Sequence, residues 1–412
     1  MELKTLFILF YFPPFSRVGG RRWAKHLKYF NRFGSKFKVL AGDFEGKSPW
    51  DDDVKEYESL ISRVPVKVYY PYYKRCIPKN IIQKIKWKSS LLYNNYLAKK
   101  YVGNFWDDSR GYEVQFYNKA VEIIRAQEIN HICLSVGPFA YSSVLLKLKT
   151  EFPTIKITLD FRDYWHDTFE NLDADKINYE LNLKKRVLSK VDLVLAPNNE
   201  MCDFFNNKYN VTTYMLPHCI DEEYLNISTK KNNAIRKTLT FVYGGNLYTN
   251  MDQYILKLIN LIKSFENLGF SIVLKIFTMQ PNYINLFIEN NITYEIAPNL
   301  PTKNFIDLVL TSDALILLRP DWSPNAFSTK FFEYVAMKKP IIYLGPKGNV
   351  NDYILKYDLG FVINSEEVKQ TAIKFIDNIE THTIPNANYN LSEHTFEFQT
   401  KKLIHYWDSF YA

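Results

Sequence analysis

The chain opens on an apolar run, Leu6-Phe7-Ile8-Leu9-Phe10-Tyr11-Phe12, that stops at Pro13-Pro14. A run of this length, bounded by turn residues, predicts a strand covered on both faces. A loop with Gly19-Gly20 follows; Trp23, Leu27 and Phe30 then share one helical face, Gly34 closes the helix, and Lys38-Val39-Leu40 begins the next strand. Strand signals recur at 131–135, 155–160 and 191–196. A second series starts at 239–243, is followed by Gly244-Gly245, and continues at Ser271–Phe277, Ala314–Leu318 and 340–344, with helical stretches between. Strands alternating with helices predict parallel sheets with helices on both sides. Residues 217–237 are polar, include Asn232-Asn233 and read as a linker. The expected architecture is therefore α/β, with two doubly wound domains, 1–225 and 226–391. An amphipathic helix in 392–412 offers Phe396, Leu403, Tyr406 and Trp407 for packing. Open sheets of this kind bind ligands beyond the carboxyl ends of their strands, which predicts a cleft between the two domains.

Composition narrows the class. A length of 412 residues fits two or three domains, and 47% hydrophobic with 23% charged residues excludes disordered and fibrous chains. Cys76, Cys133, Cys202 and Cys219 form no CxxC pair, so neither a disulfide framework nor a zinc site is expected, and a reducing cytoplasm fits. The N-terminal run lacks a basic leader and a cleavage site and falls short of the ~20 apolar residues of a membrane span, so it reads as a strand and not a signal peptide.

Charge is concentrated. Lys and Arg number 22 against 10 Asp and Glu over residues 1–110, and 30 against 34 over the rest. Between residues 63 and 100 there are ten Lys and Arg and no acid, interleaved with Tyr69, Tyr70, Tyr72, Tyr73, Ile81, Ile82, Ile85, Trp87, Leu91 and Leu92. Such a field implies an anionic partner. Ile81, Ile85 and Leu92 lie near one helical face with Lys84 and Lys88 beside it, the composition of a helix on an anionic membrane surface. A solvated basic helix packing its apolar side on the domain is the other reading. Nucleic acid is not expected, because no recognised nucleic-acid module accompanies the segment.

Candidate chemistry centres on 324–336, between the strand Ala314–Leu318 and Lys339-Pro340-Ile341-Ile342. Ser328 can cap the helix that it opens, leaving backbone N–H groups at its start, and Lys330 adds a positive charge in the first turn. Glu333 stands three residues on, facing the same side. A phosphate site with a carboxylate one turn below, able to accept two ribose hydroxyls, describes a nucleoside diphosphate. A capped surface helix with a Lys–Glu pair would carry the same residues.

The stretch Thr329-Lys330-Phe331-Phe332-Glu333-Tyr334-Val335-Ala336 with Lys338-Lys339-Pro340-Ile341 resembles the donor-site signature of GT-B glycosyltransferases, especially family 4 (group 1). Other stretches agree in the family's order: Tyr11-Phe12-Pro13-Pro14 with Gly19-Gly20, Arg22-Trp23 and Leu27; Ser135-Val136-Gly137-Pro138; Asp160-Phe161-Arg162-Asp163-Tyr164-Trp165; Val191-Asp192-Leu193-Val194 with Pro217-His218-Cys219-Ile220-Asp221; and Phe241-Val242-Tyr243-Gly244-Gly245-Asn246-Leu247. The resemblance implies a GT-B fold of two Rossmann-like domains facing a cleft, with the C-terminal helix crossing back to the first. It also implies a UDP- or GDP-sugar donor on the C-terminal domain, an acceptor on the N-terminal domain, and retention of anomeric configuration without a metal or other cofactor. The leaving diphosphate would take the acceptor's proton on the same face, so the protein's task is to stabilise charge on the β-phosphate. Lys330, Ser328, Thr329, Gly19-Gly20 and Gly244-Gly245 suit that task, and glycine lets backbone approach phosphate closely.

This sequence departs from the family pattern in places. Asn325 stands where the family commonly has a Glu that touches the donor sugar, and no basic residue follows Gly244-Gly245 in Asn246-Leu247-Tyr248-Thr249-Asn250. Arg319 either supplies the second positive charge or is an exposed loop arginine. Ser143 replaces an expected His. Asp160, Arg162 and Asp163 invite a general-base reading, or form a self-paired cluster in which Asp163 is an acceptor ligand; His166 adjoins them, and Asp221 reads as a cap or hinge. The expected catalytic set is thus Lys330, Arg319 and Asp163. The donor set adds Gly244, Gly245, Asn246, Asn325, Ser328, Thr329 and Glu333, and the acceptor or phosphate loop uses Gly19, Gly20, Arg22, Gly137 and Arg162. The expected function is a bacterial glycosyltransferase, peripheral on the inner face of the cytoplasmic membrane, acting on lipid-linked glycan for capsule, lipopolysaccharide or glycolipid. A soluble acceptor, or a non-catalytic subunit that binds a glycan or protein, are the alternatives.

Overall fold

Lys4–Leu9 (β1) turns Leu6 and Ile8 to one side of a sheet and Phe7 and Leu9 to the other, and all four are buried. A strand so composed needs helices on both faces. The computed structural model describes residues 2–15, 18–67, 71–75, 78, 80–165, 172–226, 237–298, 300, 302–321, 327–363, 367–381 and 391–412. Two units result, Met1–Pro217 with Gln399–Ala412, and His218–Phe398.

The first unit holds β1, Lys36–Asp43 (β2), Ile61–Pro65 (β3), His131–Val136 (β4), Lys156–Phe161 (β5), Leu193–Ala196 (β6) and Thr213–Met215 (β7), all parallel in the order β3-β2-β1-β4-β5-β6-β7. The second holds Thr238–Gly244 (β8), Ser271–Phe277 (β9), Tyr294–Ala297 (β10), Ala314–Leu318 (β11), Ile341–Leu344 (β12) and Gly360–Val362 (β13), parallel in the order β10-β9-β8-β11-β12-β13. In each sheet the chain winds outward from its first strand, then crosses to the other side. The first strand and the one it meets after the crossing, β1 with β4 and β8 with β11, therefore splay their following loops apart. That point is where doubly wound sheets open a crevice.

The units part at Pro217, short of residue 225, because the next residues bond into the second unit. Ile220 donates to the carbonyl of His394 at 2.9 Å and accepts from the Phe396 N–H at 3.2 Å. The chain then returns to the first unit as the helix Phe396–Phe410, whose Leu403 and Trp407 are buried against Phe7 and Phe30. Among the described residues no helix is long and apolar enough to cross a membrane.

A buried polar chain helps seat that helix. Thr5 Oγ1 meets His131 Nδ1 at 3.0 Å, His131 Nε2 meets Thr158 Oγ1 at 2.8 Å, and Thr158 Oγ1 meets the Tyr411 hydroxyl at 2.8 Å. Burial pushes the His131 pKa down to about 3, so the folded protein keeps this imidazole neutral. The unfolded chain takes up a proton below about pH 6.5 that the folded chain refuses, so the stabilisation is complete above that pH and drains away toward pH 3. Urea denaturation at pH 7.5 and pH 5 should show a loss of about 2 kcal/mol from this group. His131→Gln should remove that part of the pH dependence; an unchanged slope in the variant would refute the assignment.

Candidate functional site

In the second unit, the crevice edge is built by β8, β11 and β12. The helix Thr329–Ala336 starts with Ser328, whose Oγ accepts from the Phe331 N–H at 3.3 Å. This cap satisfies one donor of the first turn and fixes where the helix begins. Lys330, one residue into the helix, reaches back to β8 and donates its Nζ to the Gly244 carbonyl at 2.6 Å. Burial pushes the amine's pKa below the ordinary lysine value, while the Glu333 carboxylate pulls it up. Lys330, Glu333, Ser328, Gly244 and Gly245 are thus gathered at one place.

The glycine loop differs from expectation in what its backbone does. The Gly244 N–H donates to the Tyr334 hydroxyl at 3.0 Å, and the Gly245 N–H donates to the Phe277 carbonyl at 2.9 Å. Both amides are engaged within the protein. What the missing side chains provide is room: a Cβ on Gly244 would stand 2.7 Å from the Phe305 ring, and one on Gly245 would stand 3.2 Å from Lys330 Nζ and 2.9 Å from the Tyr243 hydroxyl.

Arg319 follows β11 and is half-buried, not exposed, with its N–H on the Leu344 carbonyl at 3.0 Å. Burial lowers its pKa, and the phenols of Tyr343, Tyr248 and Tyr243 around it act in the opposite direction. Two of these tyrosines also tie the neighbouring loops, Tyr243 to the Asn246 carbonyl at 2.7 Å and Tyr343 to the Pro346 carbonyl at 2.8 Å. Asp321, two residues on, is held by Gln253 at 2.8 Å and by the Tyr254 hydroxyl. Sequence reasoning passed over Tyr243 and Tyr343. Their signal was a tyrosine just ahead of a glycine at two strand ends, Tyr243-Gly244 and Tyr343-Leu344-Gly345. Asn325, His166 and the Thr329 side chain lie outside the described residues.

In the first unit, Arg162 directly follows β5. Its guanidinium donates to the Gly137 carbonyl. A Cβ on Gly19 would fall 2.8 Å from Arg162 Nη1, and one on Gly137 3.0 Å from Nη2. Gly137 also has φ +96°, which disfavours any side chain. The loop after β4 is fixed by buried Asp107, which accepts from the Phe139 and Ala140 N–H groups at 2.7 and 3.2 Å, and the Tyr11 hydroxyl donates to Asp108 at 2.6 Å. Burial raises the Asp107 pKa, against the pull of these donors.

Asp160 has no access to solvent. It accepts from Arg22 Nη2 at 3.2 Å, Trp23 Nε1 at 2.7 Å and Ser135 Oγ at 2.7 Å. Arg22 also binds the carbonyls of Leu216 and Pro217, at 2.7 and 3.2 Å, so it locks the last residues of this unit instead of facing a ligand. The carboxylate–arginine cluster therefore exists, but Arg22 is the partner of Asp160, while Arg162 turns to Gly137. Asp163 is exposed and adjoins Arg162. Removing one partner of a buried ion pair strands the other, so Asp160→Ala should cost about 3–5 kcal/mol in urea denaturation. Asp163→Ala should stay within about 0.5 kcal/mol. Equal effects would contradict these placements.

No family model matches the chain, and no curated protein sequence does. Solved structures match over nearly its whole length. The chain is similar to the N-terminal domain of trehalose-6-phosphate phosphatase from Candida albicans, at 11% identity and TM-score 0.59, covering 100% of this chain and 97% of that one. It is similar to a glycosyltransferase from Rickettsia africae ESF-5, at 14% identity and TM-score 0.57, covering 99% and 98%. The catalytic domain of starch synthase IV from Arabidopsis thaliana, solved with ADP and acarbose, matches at 12% identity and TM-score 0.56 over 100% of both. At these identities the likeness is one of fold, and the fold is GT-B.

Proposed function

We propose that this chain is a glycosyltransferase of the family 4 type, which moves a sugar from a nucleoside-diphosphate sugar to a glycan acceptor. The observation that carries the reading is the Lys330 amine, held beside the first glycine of the β8 loop with Glu333 one turn away. A cation fixed at this edge meets the donor's pyrophosphate, and Glu333 accepts the ribose hydroxyls. Arg319 supplies the second positive charge from the end of β11. As the bond from the anomeric carbon to the phosphate oxygen breaks, negative charge grows on the leaving β-phosphate, where preorganised cations act most strongly. The acceptor oxygen attacks on the same face and passes its proton to the departing phosphate oxygen. Configuration is retained, and neither a protein nucleophile nor a metal is called for.

Thermal-shift titration with UDP, GDP and ADP and their sugars tests this. The matching diphosphate at 100 times its Kd should add about 2.7 kcal/mol of stability. Lys330→Ala should weaken it roughly ten- to a hundredfold, the scale of one charge-assisted hydrogen bond. Because the Lys330 pKa lies below the usual 10.5, affinity should decline on the alkaline side before that pH is reached. If no nucleotide stabilises the protein, the reading fails.

The acceptor in this proposal is lipid-linked, and the enzyme works on the inner face of the cytoplasmic membrane in surface-polysaccharide or glycolipid synthesis. Support comes from the helix Ile81–Lys100, capped by Asn80, whose Oδ1 accepts from the Gln83 N–H at 2.9 Å. Ile81, Ile82, Ile85, Leu92, Tyr93 and Tyr96 are each 53–75% exposed. At 3.6 residues per turn they form a stripe over roughly a third of the circumference. Exposed Lys84, Lys86, Lys88, Lys99 and Lys100 flank or cross it. The side turned to the protein carries buried Asn94 and half-buried Trp87, Leu91 and Leu97. Apolar side chains thus stand in solvent among lysines, a surface whose positive charge suits anionic lipid headgroups. Cosedimentation should favour phosphatidylglycerol-containing vesicles over phosphatidylcholine. Replacing Lys84, Lys86 and Lys88 by Gln should cost on the order of a hundredfold, at ~1 kcal/mol per charge. Retention of binding in that variant, and in Ile81→Glu with Ile85→Glu, would refute the surface.

A further inference from the structure

We infer that Tyr334 is the positioning residue of the donor site, its hydroxyl setting the Gly244 peptide so that the Lys330 amine is held ready for the second phosphate. The inference rests on the reading that Lys330 grips a nucleoside diphosphate.

Lys330 and Tyr334 stand four residues apart on the helix Thr329–Ala336, so their side chains leave adjacent turns of one face. Both reach the same residue, Gly244, the last of β8. The amine takes its carbonyl at 2.6 Å, and the phenol takes its N–H at 3.0 Å. The phenol also donates to the Gly244 carbonyl at 3.5 Å, so one hydroxyl touches both the N–H and the C=O of the residue that meets the cation. Tyr334 is 1% exposed, so its hydroxyl acts through the backbone that it bonds. Its ring lies parallel to Phe305, with centroids 6.3 Å apart, and the Phe305 ring is what a Cβ on Gly244 would strike. The adjoining Gly245 N–H is fixed on Phe277. With both glycine amides engaged, the group that this loop presents to an anion is the Lys330 ammonium. The loop works as a socket for a cation, and the phenol keeps the socket in shape.

Removing only the hydroxyl tests the claim. Affinities of a nucleoside diphosphate and of the matching monophosphate, measured by calorimetry for the wild type and Tyr334→Phe, should show about a tenfold loss for the diphosphate and less than twofold for the monophosphate. The alkaline decline of diphosphate affinity should also begin at lower pH, because an amine without its carbonyl partner gives up its proton more easily. Phe305→Leu loosens the same packing but leaves the hydroxyl, and should preserve the ratio of the two affinities. If Tyr334→Phe keeps the wild-type ratio and alkaline limb while Lys330→Ala loses the diphosphate, this inference is overturned and the donor reading stands. An equal change in Phe305→Leu would assign the effect to packing, and overturn it too. Absence of diphosphate binding in the wild type would overturn the donor reading and this inference with it.

Discussion

A cation pressed against a backbone carbonyl beside glycines recurs in both units and constrains the loops at their strand ends. In the second unit it is Lys330 on the Gly244 oxygen, and in the first it is Arg162 on the Gly137 oxygen. Withdrawing a charge from water is costly unless strong acceptors replace the hydration shell. A peptide carbonyl at the end of a parallel strand is such an acceptor, and it can be approached only where no Cβ stands in the way. Gly245, Gly19 and Gly137 provide that clearance. The glycines at these strand ends therefore serve the protein's own cations first.

Much of the architecture was legible from apolar runs. The strands β11 and β12 are buried on both faces and read as uninterrupted hydrophobic stretches, and β1, β4, β5, β8 and β9 carry enough apolar residues to stand out beside them. Those that escaped notice, β3, β7, β10 and β13, are short, lie at the sheet edges and are largely half-buried. Three to five such residues carry too little alternation to be told from loop. At the site, the grouping of Lys330 with Glu333 was readable because it follows from spacing along one helix. The engagement of the Gly244 and Gly245 amides was not, since the partners, Tyr334 and Phe277, are remote in sequence and come together only through the strand order. Arg22 misled for the same reason. Its place in a glycine-rich loop motif gave no hint that Asp160 and the carbonyls of residues 216 and 217 would enclose it.

The basic segment shows a different limit. Its composition was plain, but amphipathic pattern alone does not say which side of a helix meets the protein. Here the usual polarity is inverted: Asn94 is buried, bonded within its own helix to the Ser90 carbonyl, while three isoleucines stand in solvent. With no acid between residues 63 and 100 to neutralise it, the positive field of the first quarter of the chain is gathered on this projecting element. The second unit, slightly acidic, has no part in it.

The return of the last fourteen residues to the first unit has a temporal meaning. Phe7 is covered by Trp407, about 400 residues later in the chain. At roughly 5–20 residues per second, the ribosome takes about 20 to 80 s to supply that cover. During that interval, one aromatic face of the first sheet stays without its lid. A chain that stops short of Trp407 leaves Phe7 and Phe30 without that cover.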